Sequence, residues 1–259
     1  MIPLWLLFVL VGAAGGFTAG LFGVGGGLVI VPTLYFLWHT DPVLGPEVMH
    51  HAVATSLACI VVTSLTSSWT HWRAQRLQFD RLPWLALAVS LGSVSAVLLA
   101  NWVPTQWLKL GFGLFALSTC LSLLRPKKQA PAKSVPPRNE LLGAGVVIGH
   151  MSTLLGVSGG AMTVPYLVLR GVDMRQAVVV SSAVAIPISM IGAVGLALTG
   201  PNGPQTWGYV HWPAFVGISL VSILFANWGA RLSQRMDKRK LQMAFAGFLA
   251  LVAAHMLLF

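Results

Sequence analysis

The sequence predicts an all-α polytopic membrane protein of two inverted repeats, each a glycine-broken helical hairpin followed by three transmembrane helices. Three observations predict it. Of the 259 residues, 56% are hydrophobic and 8% charged, against about 25% charged in a soluble domain. The few charges gather in short connectors between long apolar stretches. A glycine-rich motif occurs twice, at an offset of 133 residues.

The charge distribution sets the class. A charge at the bilayer centre costs at least ~2.5 kcal/mol, so long uncharged stretches suit lipid. A net charge of +10 invites a nucleic-acid partner, but such proteins cluster Lys and Arg on one accessible face. Here the basic residues sit at the ends of apolar segments, where the positive-inside rule places them, so no nucleic-acid partner is expected. Cys59 and Cys120 lie in apolar runs and read as small buried hydrophobes. No Cys/His spacing suggests a metal, and no cofactor is expected. Met1 to Leu21 carries no Lys or Arg, so it lacks the basic start of a signal peptide and reads as a retained membrane segment.

A span needs about 20 apolar residues at ~1.5 Å rise each. Region 3–38 is apolar but interrupted by Gly23-Val24-Gly25-Gly26-Gly27, and ordinary spans follow at 50–71, 82–101 and 105–124. Region 141–170 is interrupted by Gly156-Val157-Ser158-Gly159-Gly160, with spans at 175–198, 212–230 and 241–259. The first repeat is therefore 1–124 and the second 141–259, joined by a basic, proline-rich linker over 125–140. Together they form one integral membrane domain, a lipid-bilayer protein.

Leu21 to Pro32 lies over Leu154 to Pro165 with seven of twelve residues identical. Ala52-Val53-Ala54-Thr55-Ser56 lies over Ala177-Val178-Val179-Val180-Ser181 in a shifted register. The linker's five basic residues make it cytoplasmic. Counting spans from there puts fifteen of the sixteen Lys and Arg inside, all but Lys109. Both termini then face the periplasm of an inner-membrane protein. Region 141–170 starts and ends inside, region 3–38 starts and ends outside, and the halves are inverted. Such repeats with broken helices are a transporter architecture, with the site at the repeat interface.

The breaks carry the chemistry. Non-helical backbone at membrane depth survives where it is buried in protein or faces water. Glycine permits positive φ, expected here at Gly26 and Gly159, and close ligand approach. The helix after each turn offers unpaired N–H groups and a partial positive charge, a natural anion site. Pro32 and Pro165 fit near those helix starts. The plain alternative is that the glycines only let helices pack closely. Candidate substrate-binding residues are Gly23, Gly25, Gly26, Gly27, Thr55 and Ser56 in the first half, and Gly156, Ser158, Gly159, Gly160, Ser181 and Ser182 in the second. Their hydroxyls donate to anion oxygens without a buried charge, although Ser and Thr in spans also bond their own helix. His150, inside the second hairpin, is a candidate for a coupled proton, while its repeat counterpart is Phe17. His50, His51, His71, His211 and His255 lie near span ends and read as interfacial.

These motifs resemble the TauE/SafE family of sulfite and organosulfonate exporters. The resemblance rests on Gly23 to Gly27 with Pro32, on Ala52 to Ser56, and on His71-Trp72-Arg73 with Phe79-Asp80. Gly156 to Gly160 with Pro165 and Ala177 to Ser182 repeat the pattern, so nearly the whole chain is covered. The resemblance implies a bacterial inner-membrane permease that exports a small sulfur-containing anion. An anion channel and an intramembrane enzyme or subunit remain as alternatives. Against an enzyme, there is no HExxH, no paired intramembrane carboxylate and no nucleophile–base pair. The oligomeric state is open, with a homodimer among the options.

Overall fold

The computed structural model describes residues 4–22, 25–39, 44–74, 79–124, 136–233 and 238–258. Gly23, Val24 and most of the linker lie outside the described residues. The fold is all-α apart from one small hairpin. The first half contains α1 (Leu4–Phe22), α2 (Gly27–Trp38), a 3₁₀ turn (Gly45–Glu47), α3 (Val48–Ala74), α4 (Leu82–Ala100) and α5 (Thr105–Leu124). The second contains α6 (Arg138–Leu155), α7 (Gly160–Leu169), α8 (Met174–Thr199), strands β1 (Thr206–Trp207) and β2 (Val210–His211), α9 (Trp212–Ser233) and α10 (Lys238–Leu258). Among the described residues four helices are long and apolar enough to cross a membrane, within α3, α4, α8 and α9. At 20 and 21 residues, α5 and α10 also have spanning length.

The molecule exposes an apolar surface, as lipid requires, and buries its hydroxyls within a largely apolar core. Leu98, Leu224 and Leu251 are 67%, 70% and 74% exposed, whereas Ser56, Ser93, Ser181, Ser189 and Ser222 are 0% exposed. With no water to serve them, buried hydroxyls mostly bond backbone carbonyls. Ser222 donates to Gly12 O at 3.0 Å, Ser189 to Ala185 O at 2.8 Å and Thr63 to Cys59 O at 3.2 Å.

Glycines set the closest helix contacts. A Cβ at Gly12 would lie 2.7 Å from Ile218 O, and one at Gly16 2.5 Å from Ser222 O, so α1 runs parallel along α9. Gly145 and Gly149, their counterparts at offset 133, face Ala88 and Val89 in the same way, so α6 runs parallel along α4. This is the small-xxx-small packing of membrane helices, in which missing side chains bring backbones into contact. The central pair, α3 and α8, is antiparallel: Gly192 meets Leu57, while Ser68 donates to Ser182 O at 2.8 Å. The α5–α10 pair is also antiparallel, with Gly113 against Leu257 and Cys120 Sγ on Ala246 O at 3.2 Å.

The helix ends fall into two groups. In one, Glu140 at the start of α6 pairs with Arg170 just past α7 at 2.7 Å and accepts from Tyr166 OH at 2.9 Å. Arg81 bonds Pro136 O, and the Arg138 guanidinium lies 3.3 Å from the Trp84 ring centroid. In the other group, Phe8 near the start of α1 and Trp38 at the end of α2 both pack on His211, at 6.0 and 5.0 Å between centroids. There Thr105 donates to Pro46 O at 2.6 Å and Asn101 to Thr199 O at 3.4 Å. Each broken region therefore returns to the end at which it starts, with its glycine turn at the far point.

Pro32 and Pro165 do not mark helix starts. Each is the sixth residue of its helix, α2 or α7. A proline there removes the bond to the carbonyl four residues back, Leu28 or Ala161.

Candidate anion site at the facing glycine turns

The two turns meet. A Cβ built on Gly25 would lie 2.5 Å from both Cβ and Oγ of Ser158, its counterpart in the repeat. A Cβ on Gly27 would lie 2.5 Å from Gly156 O and 3.0 Å from Val157 Cα. Ile60 Cδ1 lies 3.0 Å from the same Gly27 position and closes the contact from α3.

The left-handed positions are Gly25 and Gly156, with φ of +60° and +65°. This corrects the expectation for Gly26 and Gly159, whose φ are −59° and −52°. Those two glycines serve close approach instead. A Cβ on Gly26 would meet Gly15 O at 2.6 Å, and one on Gly159 would meet Ile188 Cδ1 at 2.6 Å. Gly156 closes α6 in a Schellman-type end: Val157 N–H donates to Ser152 O at 3.0 Å and Gly156 N–H to Thr153 O at 3.2 Å.

The helix starts differ. At α7, Gly160 N–H donates to Ser158 Oγ at 3.3 Å and Ala161 N–H to Ser158 O at 3.2 Å. At α2, Val29 and Ile30 both donate to Gly26 O, at 3.0 and 2.9 Å, with no side-chain cap. The N–H groups of Gly27 and Leu28 have no partner among the described residues.

The hydroxyls divide likewise. Ser56, expected to donate to an anion, donates to Gly156 O at 2.8 Å and so holds the second turn. Thr55 accepts from His211 N–H at 3.0 Å. Ser182 donates to Val179 O at 2.8 Å within its own helix. Ser181, fully buried, has no partner among the described residues, and neither does Thr163 in α7. His150 lies on the α4–α6 face with Nδ1 2.8 Å from Ser95 Oγ, apart from the turn contacts just described.

Three of the five histidines read as interfacial are in fact buried: His50, His51 and His211 are 5%, 4% and 6% exposed. They form a second polar centre with Tyr209, whose ring stacks on His50 at 5.1 Å. His51 Nδ1 bonds Tyr209 O at 3.0 Å. Burial, then Glu47, raises the Tyr209 phenol to about 12, so it stays protonated and donates to Glu47. The sequence signal was the His50-His51 pair directly preceding the repeated Ala52 to Ser56 segment. Among the described residues no His, Cys, Asp or Glu cluster is placed to hold a metal.

The sequence model of the family described as "Sulfite exporter TauE/SafE" matches residues 8–256. The chain belongs to this family. Among TauE/SafE-like relatives, a "Probable membrane transporter protein" of Haemophilus influenzae is 33% identical, with 98% of each chain covered. A protein of Methanocaldococcus jannaschii with the same description is 26% identical over 97% of this chain and 95% of its own. One from Bacillus subtilis is 25% identical over 98% and 99%. The protein is accordingly a membrane transporter of the TauE/SafE family.

Proposed function

We propose that this chain is a secondary carrier that exports a small sulfur-containing anion, such as sulfite or an organosulfonate, across the bacterial inner membrane. The observation that carries this reading is the meeting of the two turns at a helix start, α2, that has no side-chain cap among the described residues. The N–H groups of Gly27 and Leu28, without a partner among the described residues, set a positive helix end beside that contact. By the repeat, Ser181 stands to the first turn as Ser56 stands to the second, and its hydroxyl is uncommitted. Gly25, Gly26, Gly27 and Ser181 thus form the proposed anion-binding set; Gly23, the remaining candidate of that turn, lies outside the described residues. Gly156, Ser158, Gly159, Gly160 and Ser56 form the opposing wall, while Thr55 bonds β2 and Ser182 its own helix, so neither joins the set.

The contact between the turns favours a carrier over a channel, because the anion must part them to pass. Each helix end contributes only about 0.3–2 kcal/mol, so binding is modest and the cargo can be released.

The inverted arrangement of 1–124 and 141–259 is part of the proposal. It is supported by the exchange of partners under the repeat, α1 on α9 against α6 on α4. The antiparallel self-pairings of α3 with α8 and of α5 with α10 support it further. The linker 125–140 is then cytoplasmic and both termini periplasmic, which a C-terminal fusion to a reporter active only in the cytoplasm tests: strong signal overturns the topology. For function, purified protein in proteoliposomes should move sulfite or a sulfonate in preference to chloride, with saturable flux. Flux that does not saturate overturns the carrier reading, and preference for chloride overturns the substrate class.

A further inference from the structure

A small internal cavity lies between His50 on α3 and Thr153 in the last turn of α6. About 10 Å³ of it is open to a water-sized sphere, room for one water. Its other walls are apolar side chains and the end of α4. Two polar atoms of its lining residues have no partner among the described residues: His50 Nδ1 and Thr153 Oγ1. Leaving both orphaned costs about 1–3 kcal/mol each, a pattern that marks a ligand rather than a packing site.

The tautomer follows from the other ring nitrogen. His50 Nε2 lies 3.0 Å from Ala100 O. A carbonyl only accepts, so Nε2 carries a hydrogen. In the neutral ring Nδ1 is then a bare lone pair. When a second proton arrives it must sit on Nδ1, where it needs an acceptor. Ala100 belongs to the C-terminal end of α4, whose partial negative charge favours that cation.

We propose that His50 is the proton-binding group of this transporter, exchanging its Nδ1 proton with a single water shared with Thr153 Oγ. In the neutral state the water donates to Nδ1; in the charged state Nδ1–H donates to the water, and Thr153 serves as its second partner. This inference rests on the carrier reading for the coupling, though not for the site. The proton is tied to the anion turn along two routes. Thr153 O accepts from Gly156 N–H, and Ser56, six residues beyond His50 on the same helix, holds Gly156 O. The ionisable groups facing His50 are Tyr209 stacked on it, His51 beside it and Glu47 one turn earlier. On α5, Lys109 sits over the Tyr35 ring at 5.7 Å, next to the cavity-lining Leu108. The cavity-lining residues from α4, α6 and α8 contain no ionisable side chain.

The test has two arms. In ¹⁵N-histidine spectra of the full chain in nanodiscs, one signal, missing in His50→Gln, should pass from the Nε2–H tautomer to imidazolium as pH falls. Thr153→Val should move its midpoint, because the water loses its second partner. A His50 that keeps one state from pH 4.5 to 9, or a midpoint that ignores Thr153→Val, overturns the site. In proteoliposomes, one coupled proton accumulates sulfite about tenfold per pH unit of gradient. His50→Gln should bring that ratio to about onefold while labelled sulfite still exchanges across the membrane. Gradient-driven accumulation kept by His50→Gln, or lost only in His150→Gln, overturns the coupling. Wild-type protein that moves no sulfur oxyanion overturns the proposed substrate class instead, and the spectra still decide the proton site.

Discussion

The turn between α1 and α2 and the turn between α6 and α7 occupy matched places in the two halves, yet they settle their backbones differently. The second is closely held: Ser158 Oγ accepts from Gly160 N–H, Ser56 of α3 holds the Gly156 carbonyl, and a Schellman-type end closes α6. The first has glycine where the second has serine, so the start of α2 has no side-chain cap, and the matching hydroxyl on Ser181 is left over. On the proposed reading, one repeat unit thus yields a wall and a donor set, and Gly25 against Ser158 is the residue difference between them.

The largest expected effect comes from the left-handed glycines. Gly156→Val puts a β-branched residue at φ +65°, with its Cβ 2.9 Å from Val53 Cα and Val31 Cγ2. Backbone cannot give way there, so the yield of monodisperse protein in detergent should fall sharply. Gly25→Val meets mainly the Ser158 side chain, so more folded protein should survive while transport is lost. Equal yields for the two variants would erase the distinction between wall and donor set.

The paired serines sharpen it. Ser56→Ala leaves the buried Gly156 carbonyl without its hydroxyl donor and should cost about 1–3 kcal/mol of stability, read as a lower Tm. Ser181→Ala removes a hydroxyl that has no partner, so Tm should hold. Sulfite binding should nevertheless weaken, by the roughly 1.5–3 kcal/mol of a donor to a charged group. A Tm loss in Ser181→Ala with unchanged affinity would move the anion away from the first turn.

The smallest effect is at the cap. Ser158→Ala should cost about 0.5–1.5 kcal/mol, the worth of the one bond from Gly160 N–H. A thermal melt should show the loss. An unchanged Tm would mean that the hydroxyl does not hold the start of α7.

Much of this architecture was legible in the chain. Hydropathy and basic connectors located every helix to within a few residues, because a bilayer imposes one length and one polarity on each span. The motif at offset 133 located both turns. The roles of particular groups were less legible. Gly26 and Gly159 looked like the strained positions, but strain depends on where each helix ends, and that placed it at Gly25 and Gly156. Ser56 and Ser181 looked equivalent until packing gave one a carbonyl and the other nothing. His50 looked interfacial because it begins a span, and only the folding of residues 200–211 over α3 buried it.

The sequence by itself determined the membrane class, the helices, the repeat and the matched pair of glycine turns. Each of these is a property of composition or of spacing along the chain, on which desolvation and the reach of a helix act directly. Tertiary structure alone decided that the two turns touch and which hydroxyls are spent on backbone. It also decided that His50 and Thr153 share a cavity across more than a hundred residues. Those outcomes depend on which atoms helix packing brings within hydrogen-bond distance, a length set by contacts between distant segments and absent from any local pattern.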